Sequence, residues 1–214
     1  LDETSKDALD VIGVQGGYYT KPEKAYDLQW VFIPYYYHRG EFLMPSKQKI
    51  ESELNNYIDD QLGDCIANGD FNDFRLDYSS SRTRSMIKPG EVLFEIDMPV
   101  QINKEDNVVT LELGDYPVSR NSSLYEILEV AEYITNSHKR DPELYCISCV
   151  GEMAEERDLF VDIMRFTEDS MMTVISENHT SSEKYSFVFL NKYTGSEESP
   201  EIVVDFDVPG VPGE

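Results

Sequence analysis

Residue types that often carry chemistry are scarce in this chain of 214 residues. It contains three His and three Cys, and no His lies at metal-ligand spacing from another His or Cys, so catalytic zinc is not supported. Neither a Gly-x-Ser-x-Gly elbow nor a Gly-Lys-Ser phosphate loop occurs, so there is no signal for a serine hydrolase or a nucleotide site. No apolar run approaches the ~20 residues that a membrane span needs.

Positive charge is also scarce, because 18 Lys and Arg oppose 42 Asp and Glu for a formal net charge of −24. A field of this sign repels phosphate backbones and anionic membrane surfaces, which argues against nucleic acid as a partner. The acids are spread along the whole chain. This pattern favours a solvated acidic surface over its two alternatives, high-salt adaptation and weak cation binding.

The residues that are present suffice for a folded core. Apolar residues make up 40% of the chain and aromatic residues 12%, within the globular range. The length suits one large domain or two small ones. The chain opens at Leu1, without Met and on a helical pattern, so we expect that an N-terminal segment was removed and that any signal or anchor lay there.

Hydrophobic periodicity predicts three to four helices. Apolar residues recur at intervals of three and four in each long segment, and Ser123 with Glu126 forms a capping box at the start of the third helix. The predicted helices are residues 2–13, 46–66, 123–140 and a short piece around Cys146 and Cys149.

Runs rich in β-branched and aromatic residues predict antiparallel strands between and after these helices. The fold class is therefore α+β, with antiparallel sheets packed against the helices and a helix-then-strands arrangement that occurs twice. We divide the chain into 1–120, 121–193 and a C-terminal tail or docking strand at 194–214. The predicted strands are 74–78, 84–87, 92–102, 108–113, 159–166, 171–176 and 185–190, with a further one at 28–33.

The pair Cys146 and Cys149 forms a CxxC unit, which serves as a redox pair, half of a zinc site or a structural disulfide. A redox site of the thioredoxin type needs the pair at the start of a helix that follows a strand. A zinc site lacks its second pair. A structural bridge, within the pair or from one member to Cys65, is the favoured interpretation, and the odd number leaves one cysteine without an intrachain partner.

Two motifs match the acceptor pattern for N-glycosylation. Asn121 is followed by Ser122 and Ser123, and Asn178 stands two residues before Thr180. Both lie in polar stretches that we expect to be loops, which favours an extracytoplasmic location.

Oxygen-bearing side chains crowd one predicted connection. Asp70, Asn72, Asp73 and Asp77 supply ligands that calcium prefers, although their spacing departs from that of an EF-hand. A capped turn is the simpler interpretation, calcium is the alternative, and no other cofactor is predicted.

The segment from residue 18 to residue 44 is rich in aromatic side chains, and we expect it to pack over the core in an extended form. Tyr and Trp combine apolar area with a polar tip, which suits a half-buried layer as well as a surface for a protein or a sugar. Packing is the more common use. The candidates for binding are Trp30, Tyr35, Tyr36 and Tyr37.

Several short stretches in the first third of the chain form a recognisable set, namely residues 3–9, 12–19, 34–37, 50–54 and 57–58, followed by Cys65. Together they resemble a family of uncharacterised archaeal surface proteins. The resemblance implies an N-terminal membrane helix ahead of an extracytoplasmic domain, with the membrane reached only through that missing segment. It also implies a family cysteine upstream of Leu1 as a partner for Cys65, and it carries no catalytic residue.

These observations predict an extracellular or cell-surface domain that acts in binding, adhesion or assembly, with protein, carbohydrate or a further copy of itself as partner. In an assembly, residues 202–208 of the tail would add a strand to a neighbour. The alternative is a secreted hydrolase with an unidentified carboxylate pair, or a thiol–disulfide redox protein that uses Cys146 and Cys149.

Overall fold

The computed structural model describes most of the chain and shows an α+β fold. The described residues are 2–68, 75–78, 81–104, 107–112, 114, 116–140, 146–177 and 185–193. The predicted tail and the acidic connection at 70–73 lie outside these ranges, as does Asn178.

The described residues form four helices and twelve strands. The helices are α1 (Asp2–Val14), α2 (Lys47–Asn68), α3 (Leu124–Arg140) and α4 (Ile147–Glu155). The strands are β1 (Ala25–Asp27), β2 (Phe32–His38), β3 (Glu41–Phe42), β4 (Arg75–Tyr78), β5 (Arg82–Lys88), β6 (Glu91–Asp97), β7 (Pro99–Lys104), β8 (Asn107–Glu112), β9 (Val118–Asn121), β10 (Leu159–Thr167), β11 (Ser170–Glu177) and β12 (Ser186–Lys192).

The strands form one large sheet and two small ones. The large sheet has the order β1-β2-β12-β11-β10 with β3 paired to β2, and the small sheets have the orders β4-β7-β8 and β5-β6-β9. Every pairing among the described strands is antiparallel except that of β2 with β12. These two strands lie far apart in the sequence, which leaves room for the long connection that a parallel pair requires. Strands from both halves of the chain therefore share the large sheet.

Helix α2 closes the open edge of β5 with its side chains. Asn55 Oδ1 accepts the backbone N–H of Ser85 at 2.6 Å. Glu51 and Asp59, one turn before and one turn after Asn55, do the same for Ile87 and Thr83 at 2.9 Å each. The match is geometric, because four helical residues rise about 6 Å and two strand residues advance about 6.7 Å. The helix therefore satisfies N–H groups that a neighbouring strand would otherwise bind.

The turn after α1 brings that helix against the large sheet. Gly16 and Gly17 have φ of +53° and +85°, a region in which glycine is favoured. A Cβ on Gly16 would lie 2.5 Å from the Val188 carbonyl oxygen and 2.6 Å from the Pro34 ring. The buried Tyr36 hydroxyl donates to the Gly16 carbonyl at 2.9 Å. The absence of a side chain at Gly16 is thus what allows helix and sheet to approach.

Two predicted strands were wrong in extent. The run 92–102 divides at Met98 into β6 and β7, which belong to different sheets, because Pro99 cannot donate to the ladder and favours a change of direction. Of the strand expected at 28–33, residues 28–31 form the turn between β1 and β2, and Phe32 and Ile33 begin β2. The apolar residues of this turn resembled a strand, but short local hydrogen bonds fold it back.

Tertiary contacts replace the predicted capping box. Ser123 N–H donates to Glu177 Oε1 at 2.8 Å, and Glu126 Oε1 accepts the Gly90 N–H at 3.1 Å. Asn121 was expected in a loop but ends strand β9, where it pairs with Glu91 and remains exposed. The polar residues of β9 have no strand pattern of their own, and they form a strand because their backbone pairs with β6.

We predict that Asn55→Ala lowers the free energy of unfolding by about 1–2 kcal/mol, because the Ser85 N–H loses its acceptor. The neighbouring Asn56 is exposed, and Asn56→Ala should change stability by less than about 0.5 kcal/mol. Urea denaturation followed by circular dichroism compares the two. Equal losses would show that the Asn55 hydrogen bond does not hold the edge of β5.

Gly16→Ala is expected to cost about 3–4 kcal/mol, because strain at positive φ adds to the clash with Val188 and Pro34. Gly40 is the matched control, since its φ is +96° but no atom lies within 4 Å of the point where a Cβ would stand. Gly40→Ala should cost about 1–2 kcal/mol from backbone strain alone. If thermal or urea unfolding shows the same loss for both, the close approach at Gly16 is not limiting.

Candidate functional site

The aromatic segment divides between the core and the surface. Tyr36 is 0% exposed, and its ring stacks on Phe189 with centroids 4.4 Å apart. Tyr37 is also buried, so neither side chain is accessible to a partner. Tyr35 is half-buried, and its ring lies edge-on to His38. Burial raises the pKa of the Tyr35 hydroxyl and lowers that of the His38 imidazole.

Trp30 has the opposite environment. Its side chain is 93% exposed, the largest value among the large apolar side chains in the described part of the chain. It is also the single tryptophan of the sequence. The four sequence candidates therefore separate into two core residues, one half-buried residue and one fully displayed indole.

The turn that carries Trp30 has a defined conformation. Leu28 N–H donates to the Val31 carbonyl at 2.9 Å, and Asp27 Oδ1 accepts the Gln29 N–H at 2.8 Å. Lys21 forms a hydrogen-bonded ion pair with the other Asp27 oxygen. The hydrogen bond from Lys21, followed by that from the Gln29 backbone, lowers the pKa of Asp27.

Backbone strain accompanies this conformation. Gln29 has φ of +77°, which is unusual for a residue with a side chain. Strained residues persist where surrounding contacts enforce them, and they cluster at binding and active sites. The turn thus has a defined backbone conformation at the position of Trp30, although both the indole exposure and the backbone angle are unfavourable.

Further apolar side chains are partly exposed in and before this turn. Tyr26 and Leu28 are each about two-fifths exposed, and the Tyr26 ring meets Phe166 edge-on with centroids 4.8 Å apart. We call Tyr26, Leu28, Trp30 and Phe166 the Trp30 patch. Because Tyr26 belongs to β1 and Phe166 to β10, the contact shows that the large sheet curls until its two terminal strands approach each other.

The second candidate site lies at the start of α4. Cys146 and Cys149 form a disulfide with Cα atoms 5.2 Å apart. Because these two sulfur atoms are bonded to each other, the predicted alternative of a bridge from one of them to Cys65 is wrong. Cys146 is the N-cap residue, and its Sγ accepts the Cys149 N–H at 3.3 Å. The placement at a helix start meets one requirement of a redox site, whereas the preceding described element is α3 and not a strand.

A groove of about 300 Å³ separates α3 from α4. Its two carboxylates, Glu129 and Glu132, both come from α3, and Glu129 pairs with Arg157 at 3.1 Å. A hydrolytic pair would place its carboxyl groups on opposite sides of a substrate. The groove does not have that arrangement. It is lined by Glu129, Glu132, Tyr133, Asn136, Ser137 and Met153.

The predicted calcium ligands receive no support from the described residues. Asp70, Asn72 and Asp73 lie outside them, and of Asp77 the structure describes the backbone in β4. Within the described ranges, no three His, Cys, Asp or Glu side chains are grouped to hold a metal ion. The same ranges include no helix that is both long and apolar enough to cross a membrane.

We predict that Asp27→Ala increases the local motion of Trp30, because the turn loses its contacts with Lys21 and Gln29. Fluorescence anisotropy of the single tryptophan measures this motion, and Glu23→Ala is the control in the same segment. The pKa of Asp27 is lowered, so the charged form persists as the pH falls to about 4, and the wild-type anisotropy should decrease only below that pH. A decrease already at pH 5–6, or none in the variant, would contradict this role.

No family model, no characterised protein and no solved structure matches this chain. Its function is therefore inferred from its own geometry.

Proposed function

We propose that this protein is an extracytoplasmic surface domain that binds a partner through the Trp30 patch. The observation that carries the proposal is an indole with 93% of its surface in water, held on a strained and hydrogen-bonded turn. Exposed tryptophan offers up to about 250 Å² of mostly apolar area, and such residues are typical anchors of binding sites. A turn that served as a connection alone would need neither feature.

The size of the patch favours a small ligand over a large protein surface. A stable protein interface buries roughly 800 Å² on each partner. The Trp30 patch has four side chains, of which Tyr26 and Leu28 are about two-fifths exposed and Phe166 is half-buried. An exposed area of this size suits a ligand of one or two rings.

The charge of the chain narrows the ligand further. A net charge of −24 opposes association with acidic partners and with a second copy of the same chain. A neutral sugar ring is not repelled, and its C–H face can pack on an aromatic ring while its hydroxyls remain in water. We therefore propose a neutral carbohydrate as the partner of the Trp30 patch.

Two features support a location outside the cytoplasm. Asn121, the first residue of one glycosylation motif, is exposed. The net charge of −24 keeps the domain soluble and suits display to the surroundings. We propose that the protein shares this location with the archaeal surface family that its sequence resembles.

The test uses native gels cast with neutral polysaccharides, namely mannan, galactan and glucan. At least one should retard the wild-type chain and shift the emission of Trp30. Trp30→Ala should weaken binding by about 30-fold, which corresponds to about 2 kcal/mol for an anchoring tryptophan. Tyr116→Ala is the matched control, because Tyr116 is 65% exposed but lies between β8 and β9, and it should leave the retardation unchanged.

Two outcomes would contradict the proposal. Retardation that Trp30→Ala leaves intact would place the carbohydrate elsewhere. A Trp30 emission shift that depends on protein concentration, with no response to any of the polysaccharides, would make the patch an interface between copies of the chain.

A further inference from the structure

We infer that Cys146 and Cys149 form a redox-active pair that exchanges its disulfide with a dithiol-bearing protein. This inference is independent of the Trp30 patch. It rests on the position of the two sulfur atoms at the start of α4, on the donors that converge on one of them and on the way α4 is anchored.

Two donors lie next to Cys146 Sγ. The Cys149 N–H donates to it at 3.3 Å, and the Ser148 hydroxyl lies 3.6 Å away. A thiolate formed at this position would receive both interactions in addition to the positive end of the α4 dipole. The first turn of α4 contains no acidic residue, although the chain has 42 Asp and Glu. The released thiolate is therefore stabilised where the acidic surface would otherwise oppose it.

The exposure of the pair fits exchange with a large substrate. Cys146 is exposed, whereas Cys149 is partly buried, so an incoming thiolate reaches Cys146 Sγ first. Ile147, between Cys146 and Ser148, is 63% exposed and offers an apolar contact for the substrate chain. Cys146 is therefore the sulfur that is attacked because it is more accessible than Cys149.

Helix α4 does not need the disulfide to remain in place. Val150 and Ala154 are buried in the main core. Arg157, just after α4, pairs with Glu129 of α3 and donates to the Met153 carbonyl, both at 3.1 Å. A disulfide that closes a loop of four residues also restricts the unfolded chain less than one that closes a long loop. Reduction of the pair therefore leaves the surrounding fold anchored.

The exchange balances without a further reactant. A substrate thiolate attacks Cys146 Sγ, the Cys146–Cys149 bond breaks, and Cys149 leaves as a thiolate that takes up a proton. The second substrate thiolate then attacks the substrate sulfur of the mixed disulfide and releases Cys146 as a thiolate. The substrate loses two electrons and two protons and gains a disulfide. The pair gains the two electrons, Cys149 takes one proton, and the second proton is released to water while Cys146 remains a thiolate.

The test is carried out with the whole chain in a Cys65→Ser background, so that alkylation reports on the pair alone. The probe is a synthetic peptide with two thiols. In the acid-quenched mixture, each peptide disulfide that forms should be matched by two new thiols on the protein, as counted by mass spectrometry after alkylation. Trp30→Ala should leave this exchange unchanged. A pair that stays oxidised in excess peptide would overturn the inference.

Single variants distinguish the roles of the two sulfur atoms. At about pH 6, the Cys146 thiol of the Cys149→Ser variant should react with iodoacetamide about tenfold faster than the Cys149 thiol of the Cys146→Ser variant. Ser148→Ala should slow the Cys146 reaction, and Ser148→Thr should restore it. Equal rates for the two thiols would contradict the stabilisation of a thiolate at Cys146.

The double variant Cys146→Ser with Cys149→Ser addresses the structural alternative. If α4 is anchored as described, its thermal midpoint should lie within about 3 °C of that of the oxidised Cys65→Ser parent. A much larger decrease would make the disulfide a structural bridge and would overturn the redox assignment.

Discussion

The arrangement of the described residues depends above all on the registry between α2 and β5. A helix offers side chains on one line every four residues, and an edge strand offers outward N–H groups every two, so the two repeats nearly coincide. Glu51, Asn55 and Asp59 use this coincidence to bond the strand. A neighbouring line on the same helix is apolar and fully buried, which seats α2 in the core while its polar line covers the strand edge. That buried line consists of Ile50, Leu54, Ile58 and Leu62.

A second junction attaches the connection between α1 and β1 to the same helix. Glu53 of α2 is 1% exposed, and its carboxylate accepts the Tyr19 and Thr20 N–H groups at 2.9 and 2.8 Å and pairs with Lys49. A buried carboxylate is stable when it is paired and hydrogen-bonded to this degree. These contacts fix the chain directly after Gly16 and Gly17, where α1 meets β12. The glycine turn and the α2 registry therefore act together, because both depend on the position of one helix.

The sequence predicted the elements whose signal is local and missed those whose cause is tertiary. The period of apolar residues located α1, α2 and α3 to within a few residues, and alternation located most strands. Strand β9 could not be found in this way, because its polar side chains are incidental and its backbone pairs with β6. The parallel pairing of β2 with β12 is equally invisible, since it joins residues about 150 positions apart. For the candidate site, the aromatic composition indicated the segment but not which of its side chains are exposed. Tyr36 is buried by its contacts with Gly16 and Phe189, and Trp30 lies on a turn that depends on the Asp27 side chain and on the φ of Gln29.

The two proposed sites share a physical logic although they lie on different elements. In each, the proposed functional group lies on a turn or at a helix start, and that segment is held by contacts with the rest of the fold. Binding or disulfide exchange would therefore not have to order the backbone of the site first. For Trp30, the contacts behind it are the Asp27 hydrogen bonds and the curled sheet that brings Phe166 against Tyr26. For Cys146, they are the buried face of α4 and the Arg157 pair with α3. The net charge of −24 repels acidic partners from most of the surface. Uncharged sites such as Trp30 and the start of α4 are therefore the places where a partner meets the least electrostatic repulsion.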